Sequence, residues 1–174
     1  RGSFSGSVKI IGNLPYYITT PIIMRLLEGQ VDADSITIMM QKEVADRIKA
    51  APGGKTYGAL SVAVQYYCEV EQIANVPKEV FVPRPKVDSA VLHLKLRAEK
   101  PVSLIDEHVF FACVKAGFGQ RRKTLLNSLT GVRGLTKEQI REVLAAAGID
   151  PVRRAETLTM EELAAVADCV AERT

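Results

Sequence analysis

The sequence predicts an α/β sheet followed by a small all-helical domain. Apolar runs of strand length alternate with helical patterns up to about residue 97, the pattern turns to helix alone from about residue 103, and the stretch "AEKPVS" joins the two regimes. Residues 1–7 then read as a linker or tag remnant, 8–100 as the α/β part and 101–174 as the helical domain.

The opening "RGSFSGS" has the Gly/Ser texture of a linker and is set apart from the fold. Residues 8–12 form an aliphatic run that reads as a strand, broken by Gly12 into Asn13-Leu14-Pro15-Tyr16. Thr20 then offers an N-cap with Pro21 at the first helical position, which opens a helix to about Glu28 that Gly29 closes. "SITIMM" at 35–40 is a second buried strand, and the helical face of "QKEVADRIKA" has apolar residues at 44, 45 and 48. "APGGKTYG" is a loop, 59–67 is helical, 69–74 is a strand, and 88–97 is a longer strand with period-two alternation. Strand, helix, strand, helix in that order predicts a parallel sheet, finished by a strand with no helix after it. The open edge at Val8–Ile11 is a template for pairing with another copy.

In the helical part, "HVFFACVKAGFG" is amphipathic and "RRKTLLNSL" continues as a basic helix. Thr136 to Gln139 and Thr159 to Glu162 have the spacing of capping boxes, so about four helices are expected.

At 174 residues and 47% hydrophobic the chain can bury a proper core. No stretch approaches the roughly 18 apolar residues of a membrane span, and no charged segment with an apolar core opens the chain, which makes a cytoplasmic address the default. Cys68, Cys113 and Cys169 are odd in number and sit in apolar or helical patterns, as buried thiols do. His93 lies in a strand and His108 near a helix start, neither with a partner at ligand spacing, so no metal is expected.

A net charge of +3 says little about partners, but its distribution says more. Gln120, Arg121, Arg122 and Lys123 can line one turn of the basic helix, with Leu125, Leu126 and Leu129 on its buried side. Lys115 and the pair Arg153-Arg154 are further cations, and acidic residues gather at 156–172, where Glu156, Glu161 or Glu162 could occupy the two arginines. Such cations neutralise phosphate and release counterions, although a solvated helix face reads the same way.

The chemistry-bearing stretch is the end of the first strand, because ligands of open parallel sheets lie outside the carboxyl ends of the strands. The Asn13 amide oxygen and the Leu14 carbonyl, held extended by Pro15, can together accept the two hydrogens of one amino group, and the Tyr16 ring adds a flat apolar face. That suits an exocyclic amine on a planar base. By itself the motif also reads as a turn with an Asx-type cap. Phe81, framed by Pro83 and Pro85 in "FVPRPK", reads either as a second ring held by a stiff loop or as an ordinary core aromatic.

Taken together and in this order, "NLPYYITTPI", "EVFVPRPKVDSAV" and "GFGQRRKTLLNSL" resemble the KsgA/RsmA family of ribosomal RNA adenine dimethyltransferases, from about Val8 to the carboxyl terminus. The resemblance implies the carboxyl-terminal part of a Rossmann-like class I methyltransferase sheet followed by a helical RNA-binding domain. It implies methyl transfer from S-adenosylmethionine, twice to one nitrogen, at two neighbouring adenines of small-subunit ribosomal RNA. It assigns Asn13 and the Leu14 carbonyl, next to Pro15, to the adenine amino group, Tyr16 to stacking and Phe81 to packing from another side, with Asn13 also touching the cofactor.

Family members carry a glycine-rich cofactor loop and an acidic ribose contact ahead of the NLPY strand. Here Gly53-Gly54 and the "GFG" at 117–119 do not follow strands, so a fragment is expected, inactive alone and not binding S-adenosylmethionine by itself. Two alternatives stand beside this reading. One is a non-catalytic RNA- or ribosome-binding module; the other is an erythromycin-resistance-type methyltransferase of large-subunit RNA, against which "QRRKTLLNSL" and the long helical tail argue.

Overall fold

The computed structural model describes residues 8–29 and 32–174; the linker read at residues 1–7 lies outside the described residues. It divides into two compact units, one running up to Lys49 and resuming over Tyr67–Glu99, the other made of Ala50–Tyr66 and Lys100–Thr174.

The first unit is a four-stranded sheet with β1 at Lys9–Asn13, β2 at Ser35–Gln41, β3 at Cys68–Val76 and β4 at Ser89–Leu96. Helices α1, Thr19–Glu28, and α2, Lys42–Lys49, belong to it. β1 pairs in parallel with β2, while β2 and β3 each pair antiparallel with β4, giving the order β1-β2-β4-β3. The first three strands therefore run one way and β4 runs against them. This corrects the expected parallel sheet. Residues 77–88, which join β3 to β4, contain only a 3-10 turn at Lys78–Val80. A parallel return needs a helix-sized crossover, so β4 comes back alongside β3 instead.

Period-two patterning decides which face is closed. Ile36, Ile38 and Met40 of β2 and Ala90, Leu92 and Leu94 of β4 are buried, and Ala45 and Ile48 of α2 are buried with them. Their neighbours Thr37, Met39, Val91 and His93, on the other face, are half-buried. There Thr37 and His93 stand opposite one another, Oγ1 2.9 Å from Nδ1. β3 is longer than the expected 69–74 and bulges between Gln72 and Ala74, which leaves Ile73 exposed.

Helix α1 begins one residue before the expected cap. The Ile18 amide donates to the Pro15 carbonyl (3.1 Å) and the Thr19 hydroxyl donates to the same oxygen (3.2 Å), so Thr20 is already helical and caps nothing. A tight turn leads straight into the helix, and Pro21 falls in the first turn, where an amide hydrogen has no partner to lose.

The second unit contains α3, Ala59–Tyr67, except for its last residue, and α4 to α7 at Glu107–Gly119, Leu125–Leu129, Lys137–Ala146 and Met160–Ala171. Its core is Phe110, Val114 and Phe118 of α4, Leu125 and Leu129 of α5, Ile140 and Leu144 of α6, and Val166 and Val170 of α7. Tyr66, Phe110 and Phe111 form a ring cluster with centroids 5.1–5.5 Å apart. Gly117 is a packing glycine: a Cβ there would lie 3.0 Å from the Ala155 Cβ. Cys113 is buried, and burial pushes its thiol up to about 12, so it stays protonated and unreactive at neutral pH. Among the described residues no His/Cys/Asp/Glu group could hold a metal, and no helix is long and apolar enough to cross a membrane.

Both capping boxes form, with Thr136 and Gln139, and Thr159 and Glu162, exchanging side-chain and backbone hydrogen bonds. Glu162 does two jobs. Its carboxylate accepts from the Thr159 amide (2.9 Å) and takes two bonds from the Arg153 guanidinium, at 2.6 and 2.9 Å. The Arg153 hydrogen bonds hold its carboxyl below the ordinary value of 4.5. A carboxyl depressed in the fold contributes stability above its unfolded-state value and loses it as pH falls through the folded one. Urea denaturation from pH 6 down to pH 3 is therefore expected to show Glu162→Gln less stable than the parent at pH 6, with the gap closing on acidification.

The basic helix does not continue. Gln120 leaves the helical region (φ −128°, ψ 60°), residues 120–123 form a turn closed by the Lys123 amide on the Gln120 carbonyl (2.8 Å), and α5 starts afresh at Leu125. Gly117 and Gly119 weaken the end of α4. The first amides of α5 then find partners in the 151–153 turn, Leu125 on the Arg153 carbonyl (2.7 Å) and Leu126 on Pro151 (3.2 Å).

Candidate functional site

Strands β1, β2 and β3 end, and β4 begins, at one edge of the sheet, where Asn13 pairs with Met39 and Ser89 pairs with both Gln41 and Val76. The polypeptide that carries chemistry gathers at this edge. Asn13 is the last residue of β1 and is exposed, Leu14 is half-buried and Pro15 exposed, and Tyr16 is half-buried. The Pro15 carbonyl is committed to the entry of α1, through Ile18 and Thr19. Among the described residues no partner engages the Asn13 side-chain amide.

The Tyr16 hydroxyl lies 2.5 Å from the Ser89 Oγ. Ser89 is fully buried, so this bond satisfies a hydroxyl with no access to water and fixes the tilt of the Tyr16 ring. Sequence reasoning missed Ser89. The only signal was its place in "VDSAV" at the mouth of a strand, which looks like any small residue entering a sheet.

Phe81 follows the 3-10 turn in the 77–88 loop, half-buried, at the same sheet edge as Tyr16. The loop is pinned from both ends by Asp88. Its carboxylate accepts from the Lys78 amide and its carbonyl from the Lys42 amide, both at 3.0 Å. Arg84 and Glu79 form an ion pair across the loop, and the Val82–Pro83 peptide is cis. Tyr17 (86% exposed) and Val82 (99%) stand open to solvent near these residues in the chain, apolar surface that a core does not use.

The cations of the helical unit separate into two groups. Arg121 and Arg153 are engaged internally. Arg121 Nη2 donates to the carbonyls of Lys55 (2.8 Å) and Tyr57 (3.0 Å) and lies 3.4 Å from Glu156, while Arg153 binds Glu162 and the Thr157 carbonyl (2.7 Å). Lys115, Arg122, Lys123 and Arg154 are exposed, as is Gln120, and no ion pair among the described residues holds the four cations.

The family model for ribosomal RNA adenine dimethylase matches residues 3–172. The chain is 53% identical over 165 residues to the ribosomal RNA small subunit methyltransferase A of Clostridioides difficile, covering 95% of this chain and 57% of the relative. It is 56% identical over 167 residues to the protein of that name from Alkaliphilus metalliredigens, covering 95% and 58%. The chain thus spans somewhat over half the length of these relatives. Among solved structures it superposes on a dimethyladenosine transferase from Plasmodium falciparum with a TM-score of 0.79 (22% identity, 95% of this chain and 67% of that one). It superposes on the 23S rRNA methyltransferase ErmE with a TM-score of 0.68 (22% identity, 98% and 68%). At that identity the structural likeness speaks for the fold.

Proposed function

The chain belongs to the ribosomal RNA adenine dimethylase family, and on that premise we propose that it carries the base-gripping side of an adenine N6,N6-dimethyltransferase acting on small-subunit ribosomal RNA. The observation that carries this reading is the sheet edge itself: an exposed asparagine amide next to an aromatic ring whose tilt a buried serine fixes.

An adenine extruded from RNA loses its stacked neighbours and exposes its exocyclic amine. In this reading the amine donates one hydrogen to the Asn13 side-chain oxygen and the other to the Leu14 carbonyl, while Pro15 keeps that carbonyl extended. With both hydrogens held, the nitrogen lone pair turns out of the ring plane toward the electrophile. The proton leaves only once the nitrogen has become cationic, so no general base has to sit at the site. Tyr16 stacks on the base and Phe81 packs from the 77–88 loop, in place of the lost stacking.

S-adenosylmethionine is the methyl donor the family implies. The described residues do not fit a cradle for it. Gly53 and Gly54 lie between α2 and α3, Gly117 and Gly119 belong to α4, and no glycine-rich turn follows a strand. Asn13 is the one residue assigned to both groups.

Phosphate contacts fall to Arg122 and Lys123, with Lys115 and Arg154 in support, in the counterion-release mode that makes affinity fall with salt. Binding of an RNA hairpin with the target adenine, compared with the same hairpin carrying purine there, tests the reading. Loss of the amino group is expected to weaken binding; equal affinity would refute it.

A further inference from the structure

Arg121 stands in the middle of the basic turn and is exposed, yet its guanidinium is tied to another loop. It donates to two carbonyls of the 51–58 loop, those of Lys55 and Tyr57, and lies beside the Glu156 carboxylate. The same loop is fastened twice more. The Gly53 amide donates to the Glu156 carbonyl (2.7 Å), from a left-handed backbone (φ +89°) that suits glycine, and Tyr57 is buried with its ring edge-on to Phe118, 5.6 Å between centroids. The 51–58 loop and the 120–123 turn, bonded across 64 and 66 positions of sequence, are thereby held side by side within one unit.

We propose that Arg121 is a clamp that joins Lys55 to Arg122 and Lys123 in one phosphate-binding patch. Lys55 is exposed, carries no ion pair among the described residues, and sits on the residue whose carbonyl Arg121 grips. Glu156 lies against Arg121, and no ion pair among the described residues holds Lys55, Arg122 or Lys123. All three oxygens lie against Arg121 Nη2, the tip of a side chain one bond longer than lysine's, so a lysine ammonium at this position stops short of them. Arg121 is a positioning residue, and Lys55 is the contact.

The proposal rests on the RNA reading above, and salt dependence separates the two. Binding of a fluorescein-labelled small-subunit ribosomal RNA hairpin is measured between 50 and 300 mM KCl, conditions chosen to resolve the slope. Lys55→Ala and Arg122→Ala are each expected to weaken binding about three- to tenfold and to lower the slope of log K against log salt by about 0.7–0.9, one phosphate's worth. Arg121→Lys keeps the charge. As a clamp it loses Lys55's share of the slope, and adding Lys55→Ala to it changes nothing further. Circular dichroism checks each fold, and the exposed Lys55→Ala substitution tests the patch even where Arg121→Lys unfolds. An unchanged slope for Lys55→Ala beside a lowered one for Arg122→Ala overturns the patch. Wild-type binding by Arg121→Lys, with Lys55→Ala still costly in that background, overturns the clamp. If the unsubstituted chain shows no salt-dependent binding at all, the RNA reading falls and the patch with it.

Discussion

Tyr16→Ala is expected to strip the chain of its hold on an extruded adenine while leaving its hold on the RNA backbone nearly intact. The ring is offered to the base from the sheet edge, whereas the cations assigned to phosphate, Lys115, Arg122, Lys123 and Arg154, lie in the other unit. Stacking on one aromatic face is worth about 1–3 kcal/mol per base, so capture of a 2-aminopurine placed at the target position should weaken about 5- to 150-fold. Backbone affinity for the same RNA should change less than about threefold, since no phosphate contact is lost. Tyr16→Phe separates ring from hydroxyl. It keeps the stacking face but leaves the buried Ser89 hydroxyl without its partner, so its main cost is stability, about 1–3 kcal/mol, and not base capture. Equal losses of base capture and backbone affinity in Tyr16→Ala would undo the assignment.

Phe110→Ala is expected to have the largest effect on stability. Phe110 is fully buried in α4 and its ring touches both Tyr66 and Phe111. Truncation removes that burial and leaves a cavity, at a cost of about 3–5 kcal/mol. Urea denaturation followed by circular dichroism reads it directly. A loss below about 1 kcal/mol would mean that this ring cluster is not the centre of the helical core. Because Tyr66 lies in α3 and belongs with the helical unit, the same substitution should loosen the 51–58 loop as well.

Local chemistry was the most legible part of the sequence. The two capping boxes follow from a threonine with glutamine or glutamate three residues on, and both form as read. Strand and helix positions in the first unit follow from period-two and 3.6-residue patterning, to within a residue or two. Strand direction did not follow, because β4 alternates like any half-buried strand and only the shortness of the 77–88 connection forces it to run against its neighbours.

Long-range pairing of polar groups was the least legible. Arg121, Arg122 and Lys123 are indistinguishable as a run of charge, yet only Arg121 is shown tied down, and the difference lies in carbonyls 64 and 66 residues away. The acidic residues near Arg153 and Arg154 offer Glu156, Glu161 or Glu162 as partners for both; Arg153 makes two bonds to Glu162, while no ion pair among the described residues holds Arg154. At the sheet edge, Asn13 to Tyr16 were readable from residue type and order. Ser89, which fixes Tyr16 from 73 positions away, was not. Glycines carry the same lesson: the run at 117–119 is set aside as a cofactor loop because no strand precedes it, but nothing in it foretells that a Cβ at Gly117 would crowd the Ala155 Cβ.

The most direct test pairs Asn13 with the amino group it is assigned to hold. Affinities of the chain and of Asn13→Ala are measured for two RNA hairpins that differ only in adenine or purine at the target position. If the amide oxygen accepts from the exocyclic amine, removing either partner weakens binding and removing both costs little more than one alone, a coupling of about 0.5–1.5 kcal/mol. Strictly additive losses, or an Asn13→Ala chain that still tells adenine from purine as well as its parent, would mean that the base is gripped elsewhere.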